Sequence, residues 1–176
     1  MALLKIARMG HPVLLEKAAP VEDPGTPEIR RLVADMIETM IDAPGIGLAA
    51  PQVHVKLRLF VFHLPAHRTG DVAVPPTVVI NPSFEPVDDT RAMRWEGCLS
   101  IPGLRAAVPR WVRIRYSGVD CDGAPVGGEV DGLQANVVQH EYDHLDGILY
   151  PMRVTDFSTF GFVEELDRRP PLEQAA

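Results

Sequence analysis

Residues 140–144 read His140-Glu141-Tyr142-Asp143-His144, and their spacing predicts a helix that binds a metal ion. Two histidines four positions apart project from one face of a helix, where both can bind the same metal ion. Glu141 between them can reach a water molecule bound to that metal. Leu133 and Val137 fall on the same face. The histidines therefore continue an apolar stripe, and we expect a helix over about 131–147 with this face turned inward.

The third ligand of such a metal has to come from another part of the chain. A typical HExxH protease takes it downstream of the helix, but His144 is the last of the six histidines here. Cys98 lies 42 positions before His140 (140 − 98), within Glu96-Gly97-Cys98-Leu99-Ser100. We therefore predict a Cys98–His140–His144 metal site. Three protein ligands leave one position open for water, which is typical of a catalytic metal.

Glu141 gives this predicted site a base. A metal lowers the pKa of its bound water toward neutrality, and a neighbouring carboxylate can take the proton and return it. This combination of groups attacks carbonyl carbons. The residues therefore indicate a metal-dependent hydrolase.

A third informative segment reads Gly45-Ile46-Gly47-Leu48-Ala49-Ala50-Pro51-Gln52. Glycines and alanines let another backbone approach closely. The segment does not match a phosphate-binding loop, because no lysine with serine or threonine follows the glycines and a predicted helix precedes them. One interpretation is a close-packed turn. The other is that Gln52 aims its amide N–H at a developing oxyanion.

Composition narrows the class of protein. A length of 176 residues fits one domain, with 46% hydrophobic and 23% charged residues as in ordinary globular proteins. The net charge is −7, whereas nucleic-acid-binding domains are typically basic. No apolar run reaches the roughly 18 residues of a membrane helix, and no signal peptide is recognisable. We expect a cytoplasmic protein with no membrane or specific nucleic-acid partner, whose Cys98 is a thiolate ligand and whose Cys121 packs in the interior.

Periodicity along the chain predicts the order of the elements. A helix is expected over 26–43, with Thr26 as N-cap and Pro27 at its first position. Extended segments are expected over 57–64, 77–80 and 111–117, and a last helix over 155–166. This order indicates an α+β fold in which antiparallel or mixed sheets surround a central metal-binding helix. We predict a single catalytic domain over 1–167 and a frayed tail over 168–176.

Together the three segments resemble the peptide deformylase family. That family carries GxGxAAxQ, EGCxS and HExDH motifs in this order, and Gly45–Gln52, Glu96–Ser100 and His140–His144 match them without a gap. The resemblance covers residues 3–165. It implies the peptide deformylase fold and an enzyme that hydrolyses the N-formyl group of formylmethionyl peptides, releasing formate.

The resemblance also implies a role for each matching residue. Cys98, His140 and His144 would bind one divalent metal ion per chain, usually Fe(II) in the cell, with zinc, nickel or cobalt as substitutes. Glu141 would be the general base and acid, while Gln52 and the backbone N–H of Leu99 would hold the oxyanion. Substrate contacts would come from Ile46, Gly47 and Gly97 to the peptide backbone, and from Leu133, Val137 and the His140 ring to the methionine side chain. Glu96 would pair with Arg110.

The implied partner is a formylated nascent peptide. Some members of the family also contact ribosomes transiently through a basic C-terminal extension. Here Arg168 and Arg169 stand among Glu164, Glu165 and Asp167, which argues against that mode of contact. Two departures concern the scaffold: Leu15 replaces an arginine of many members, and the proline-rich stretch 63–76 has no assigned role.

Two other functions remain open at this point. The first is an HExxH metallo-endopeptidase with Glu164 or Glu165 as its third ligand. The second is a non-catalytic copper module, because two histidines with one cysteine occur in blue-copper sites.

Overall fold

A computed structural model of the protein describes residues 2–70 and 73–168. The strands in this part of the chain are β1 (Gly47–Ala49), β2 (Leu59–Leu64), β3 (Val74–Pro86), β4 (Arg91–Cys98), β5 (Ile101–Trp111), β6 (Arg113–Val119), β7 (Pro125–Asp131) and β8 (Gly161–Phe162). The α-helices are α1 (Pro27–Asp42), α2 (Ala66–Thr69), α3 (Gly132–Leu145) and α4 (Val163–Leu166). Short 3₁₀ turns cover Pro12–Leu15, Ala50–Val53, Tyr150–Arg153 and Phe157–Thr159. None of the described helices combines the length and apolar composition that crossing a bilayer requires.

The strands form two antiparallel sheets. One has the order β1-β2-β3-β6-β7 and the other the order β4-β5-β8. The predicted α+β fold with sheets around a central helix is confirmed. The predicted tail begins at residue 168, and residues 169–176 lie outside the described part of the chain.

Strand β2 explains why the apolar run over 57–64 is continuous. Phe60 and Phe62 join the core cluster that contains Ala135, Val138 and Leu145 of α3. The alternate residues Leu59 and Val61 join a second cluster with Met36 and Met40 of α1. Because successive side chains of a strand point to opposite faces, β2 is buried on both sides by helices. The side of α3 with Ala135, Val138 and Leu145 thus packs on β2, whereas Leu133, Val137 and His140 of the predicted stripe line a cavity.

Helix α1 begins where the sequence predicts. The Thr26 side chain accepts a hydrogen bond from the backbone N–H of Ile29, at 3.3 Å, and Pro27 occupies the first turn. A capping threonine satisfies an N–H that has no partner within the helix. Helix α3 likewise follows its N-cap residue Asp131 and ends at Leu145.

The predicted helix over 155–166 is wrong. In its place are a 3₁₀ turn, the strand β8 and the single-turn helix α4. Strand β8 pairs with β5, with Leu104 opposite Phe162 and Arg105 opposite Gly161. This pairing extends the smaller sheet. The spacing of Phe160, Val163 and Leu166 favours a helix only locally, and the tertiary pairing of β8 outweighs that preference.

Candidate active site

Helix α3 brings the two histidines and the glutamate to the centre of the molecule. The ring centroids of His140 and His144 lie 5.1 Å apart. Glu141 is 4% exposed and His144 only 1%, while the side chain of His140 is partly buried, at 11%. Because polar side chains are buried at this point, they require partners of their own.

Cys98 meets these histidines at the end of β4. The register of β4 against β5 shifts between Gly97 and Cys98, and this irregularity ends the regular ladder at the cysteine. The Cys98 Sγ atom lies 3.3 Å from Nε2 of His144. One ligand atom from each of Cys98, His140 and His144 lies within 4.8 Å of the others, as binding of a single ion requires.

The chemistry of this cluster suits a metal ion. Burial raises the pKa of Cys98, but His144 and His140 beside it outweigh that effect and hold its pKa well below the usual value. The thiolate is the form of cysteine that binds metals. Glu141 Oε2 is a buried acceptor without a hydrogen-bond donor among the described residues. That orphaned oxygen fits a carboxylate whose donor is supplied by a group bound at the cluster.

The surroundings of Glu141 shift the pKa of its carboxyl group. Burial raises the pKa of its carboxyl group to about 7, against the opposing effect of His140 and His144. A side chain that exchanges protons works best when its pKa is near the working pH. The environment of Glu141 is therefore that of a general base and acid.

A buried ionic network holds the Nδ1 side of the His140 ring. Glu96 Oε2 accepts a hydrogen bond from Nδ1 of His140 at 2.8 Å, which leaves Nε2 of the ring for a ligand. Arg110 donates to both carboxylate oxygens of Glu96 at 2.7 and 2.9 Å and to Asp143 at 2.7 Å. Arg153 in turn donates to both oxygens of Asp143, at 2.8 and 2.6 Å.

The pairing of Glu96 with Arg110 agrees with the sequence prediction, and the network adds two residues to it. Burial alone would raise the pKa of Glu96, but hydrogen bonds from His140 and Arg110 bring it down to about 2. Asp143 and Arg153 were not anticipated. Asp143 directly precedes the candidate ligand His144, and this position is the only sequence signal that could have indicated its role. Nothing in the sequence around Arg153 indicates that it takes part.

Loss of Arg110 should destabilise the protein strongly. In Arg110→Met the carboxylates of Glu96 and Asp143 each lose a buried partner, and breaking a buried ion pair costs about 3–5 kcal/mol. Denaturant titration would measure the free energy of unfolding. The matched control is Arg113→Met, because the Arg113 side chain is 46% exposed where it pairs with Glu129. We expect less than about 1 kcal/mol there, and equal losses in the two variants would contradict the structural role of the network.

Gln52 is oriented by both ends of its amide group. Its Oε1 accepts a hydrogen bond from the backbone N–H of Ala49 at 2.8 Å. Its Nε2 donates to Ser100 Oγ at 3.1 Å and faces Cys98 Sγ at 3.5 Å. Since Oε1 is held by Ala49, the N–H donors must point toward the cysteine. Ser100, which sequence reasoning did not single out, is thereby a partner of the candidate oxyanion donor.

The glycines of the small-residue segment allow close approach, although it is side chains rather than another backbone that lie nearest to Gly45 and Gly47. A Cβ atom on Gly47 would lie 2.2 Å from Oε1 of Glu141, and one on Gly45 would lie 2.7 Å from Cδ1 of Leu99. Neither site has room for a side chain unless its neighbour moves. The backbone of this segment therefore packs directly beside the base and beside the residue that follows Cys98.

A cavity of about 430 Å³ joins the three segments. Its walls contain all the residues expected to contact substrate, which are Ile46, Gly47, Gly97, Leu133, Val137 and His140. Gln52, Glu96, Cys98, Leu99 and Glu141 also line it. Of the other predicted site residues, His144 is buried in the ligand cluster and Arg110 in the ionic network. The structure thus brings together every residue that the sequence singled out for the site.

Comparison with known proteins gives a consistent result. The family model described as polypeptide deformylase matches residues 3–159. "Peptide deformylase 1" of Bordetella pertussis is 52% identical over 163 residues, covering 92% of this chain and 93% of that protein. "Peptide deformylase 1" of Xanthomonas campestris is 52% identical over 164 residues, covering 92% of this chain and 96% of that protein.

Solved structures agree. The crystal structure of peptide deformylase from Thermotoga maritima superposes with a TM-score of 0.79 at 35% identity, covering 89% of this chain and all of that one (100%). The peptide deformylase from Synechococcus elongatus in complex with actinonin superposes with a TM-score of 0.79 at 37% identity, covering 93% of this chain and 82% of that one.

Proposed function

The chain belongs to the polypeptide deformylase family, and on that premise we propose how its residues carry out the reaction. The enzyme is a metal-dependent hydrolase that removes the N-formyl group from nascent peptides. The observation that supports our assignment of the site is the approach of the Cys98, His140 and His144 ligand atoms to within 4.8 Å. The endopeptidase alternative is not favoured, since neither Glu164 nor Glu165 joins that cluster among the described residues.

Cys98, His140 and His144 would hold the metal, which would act as a Lewis acid, polarising the formyl carbonyl and lowering the pKa of water. Glu96 fixes the ring of His140 through Nδ1 at 2.8 Å. Glu141 accepts the proton of the attacking water at its carboxylate and delivers it to the nitrogen of the leaving methionine. A carboxyl group with a pKa of about 7 can do both near neutral pH.

Gln52 and the backbone N–H of Leu99 would stabilise the negative charge that develops on the formyl oxygen. The Nε2 donors of Gln52 face Cys98, so they lie on the side of the cluster where the carbonyl must approach. Donors that are already oriented need no rearrangement during the reaction, and this is why such groups contribute strongly to catalysis.

Substrate would bind as an added strand between two segments of the cavity wall. Ile46 and Gly47 lie on one side and Gly97 on the other, and all three have backbone that a peptide can reach. Leu133, Val137 and the ring of His140 would then surround the methionine side chain. These apolar contacts would position the formyl group at the ligand cluster.

Substitution of Gln52 should slow catalysis itself. In Gln52→Leu one oxyanion donor is lost while the side-chain volume is roughly kept. We expect kcat to fall by about 10²–10³, as for other single oxyanion donors. Steady-state kinetics on a formyl-Met peptide would measure it. An unchanged kcat with a raised KM would make Gln52 a ground-state binding residue instead.

We propose Fe(II) as the metal in the cell, as the family implies, with zinc, nickel or cobalt as substitutes. A ferrous ion beside the accessible thiolate of Cys98 is open to oxidation, as is the thiolate itself. Formate release by the iron form should therefore decay in air and persist under anaerobic handling, while the nickel and cobalt forms stay active. If the zinc form were the most active and the iron form equally stable in air, the iron assignment would be wrong.

The proposed setting is the cytoplasm, where formylated nascent peptides are made. A transient contact with the ribosome would bring the enzyme to them, and co-sedimentation with ribosomes tests it. Arg168 pairs with Glu165 at 2.8 Å, so it gives no support to ribosome contact through a basic C-terminal extension.

A further inference from the structure

The wall of the active-site cavity carries a cationic side chain. Among the described residues that line it, Arg68 is the only lysine or arginine. The two glutamates of the same wall, Glu96 and Glu141, are each 4% exposed. Glu96 is already paired with Arg110 at 2.7 Å. Apart from the metal-ligand cluster and Glu141 beside it, the described wall of the cavity therefore offers an arriving peptide one exposed charge, and it is positive.

The guanidinium of Arg68 has no hydrogen-bond or ion-pair partner among the described residues, although its backbone N–H donates to Pro65. The side chain is exposed. Arg105 provides a contrast, because it pairs with Asp167 at 2.5 Å and lies over the ring of Trp95. Arg68 thus keeps its full capacity to bind a carboxylate, which a guanidinium can do through two parallel hydrogen bonds.

The fold holds Arg68 beside the path of the substrate. Arg68 lies on α2, which follows β2 directly. At the end of β2, the backbone N–H of His63 donates to the carbonyl of Ile46 at 3.0 Å, and Nε2 of His63 lies 3.0 Å from the carbonyl oxygen of Gly45. Both contacts attach the end of β2 to the segment along which the substrate backbone would pair. The turn that carries Arg68 is thereby anchored at the cavity.

We infer that Arg68 determines specificity, by binding a carboxylate in the part of the peptide that follows the formyl-methionine. This inference rests on the deformylase function. The chain carries a net charge of −7, so an acidic peptide is repelled by the protein as a whole. Arg68 supplies a local attraction at the cavity. The carboxylate comes from an aspartate or glutamate side chain, because the C-terminus of a growing chain is not free.

The test compares peptides that differ only in charge. Formyl-Met-Ala-Xaa-Ala amides and formyl-Met-Xaa-Ala-Ala amides, with Xaa as Glu, Gln or Lys, are assayed for formate release by the metal-loaded enzyme. We expect kcat/KM for the better Glu peptide to exceed that of its Gln analogue by about two- to five-fold, the range of an exposed ion pair. The ratio should shrink as ionic strength rises.

Variants assign this preference to one residue. In Arg68→Gln the Glu-to-Gln ratio should fall to about one, in Arg68→Lys part of it should remain, and in Arg68→Glu the Lys peptide should become the better substrate. The control is Arg31→Gln, an exposed arginine on α1 away from the cavity wall. That variant should keep the ratio of the unmodified enzyme.

Three results would overturn the inference. The first is equal rates for Glu and Gln peptides, and the second is a Glu preference that survives in Arg68→Gln. The third comes from assaying the same peptides as free acids: a preference for the acids over the amides, without any for Glu, would reassign the ligand to a terminal carboxylate. The deformylase function fails separately, because in that case the Gln peptides would release no formate from the unmodified enzyme.

Discussion

Replacement of Glu141 by alanine should abolish nearly all turnover while the protein still binds its metal. General acid–base groups contribute about 10²–10⁴-fold, and Glu141 also orients the attacking water, so we expect a loss in kcat of at least that size. The ligand atoms belong to Cys98, His140 and His144, and none of them is removed by this change. Metal analysis and formate release on the same preparation would measure both quantities.

A second variant separates chemistry from packing. Glu141 is buried against the backbone of Gly47, so alanine leaves a space beside that glycine. Glu141→Gln keeps the volume and removes only the ability to accept a proton, and it should be almost as inactive. Glu164→Gln, at an exposed glutamate of α4, should retain activity. Near-normal kcat in metal-loaded Glu141→Gln would exclude the proposed proton transfer.

Cys98→Ser should lose metal, and activity with it. Serine is a poor ligand at neutral pH, whereas the surroundings of Cys98 hold its pKa well below the usual value and favour the thiolate. Two histidines remain in the variant, and they bind a divalent ion less tightly than the complete set does. After dialysis we expect substoichiometric metal and a loss of formate release in proportion.

The second cysteine of the chain provides the control. Cys121 lies in the turn after β6 and is not part of the ligand cluster. Cys121→Ser should therefore retain one metal ion per chain and the activity of the unmodified enzyme. Full metal content and activity in dialysed Cys98→Ser would mean that the third ligand is a different residue.

The residues of the site were predictable because their signals are local. The spacing of His140 and His144 describes a helix face, and α3 is the helix that it predicts. Thr26 and Pro27 predict the start of α1, and in the structure Thr26 is its N-cap and Pro27 its first residue. Signals of this kind depend on neighbours within a few positions, so the sequence carries them without the rest of the fold.

The last segment of the chain shows where local signals fail. The spacing of Phe160, Val163 and Leu166 is helical, yet Gly161–Phe162 forms the edge strand β8. The partner of β8 is residues 104–105, far away in sequence. The edge of β5 exists only once the smaller sheet has assembled, so the residue spacing within 155–166 cannot predict that β8 pairs there.

The sequence alone predicts the ligand types, the base, the oxyanion donor and the helix that carries His140, Glu141 and His144. Of these, the structure contains the helix and the close approach of the ligand atoms. Packing of the folded chain, in contrast, places Cys98 3.3 Å from His144 and Gly47 against Glu141. It also decided that Arg153 completes the network through Asp143, and that α2 sets Arg68 on the cavity wall. Residue identity and helical periodicity can be read from the sequence, whereas these close approaches depend on how distant strands and helices pack.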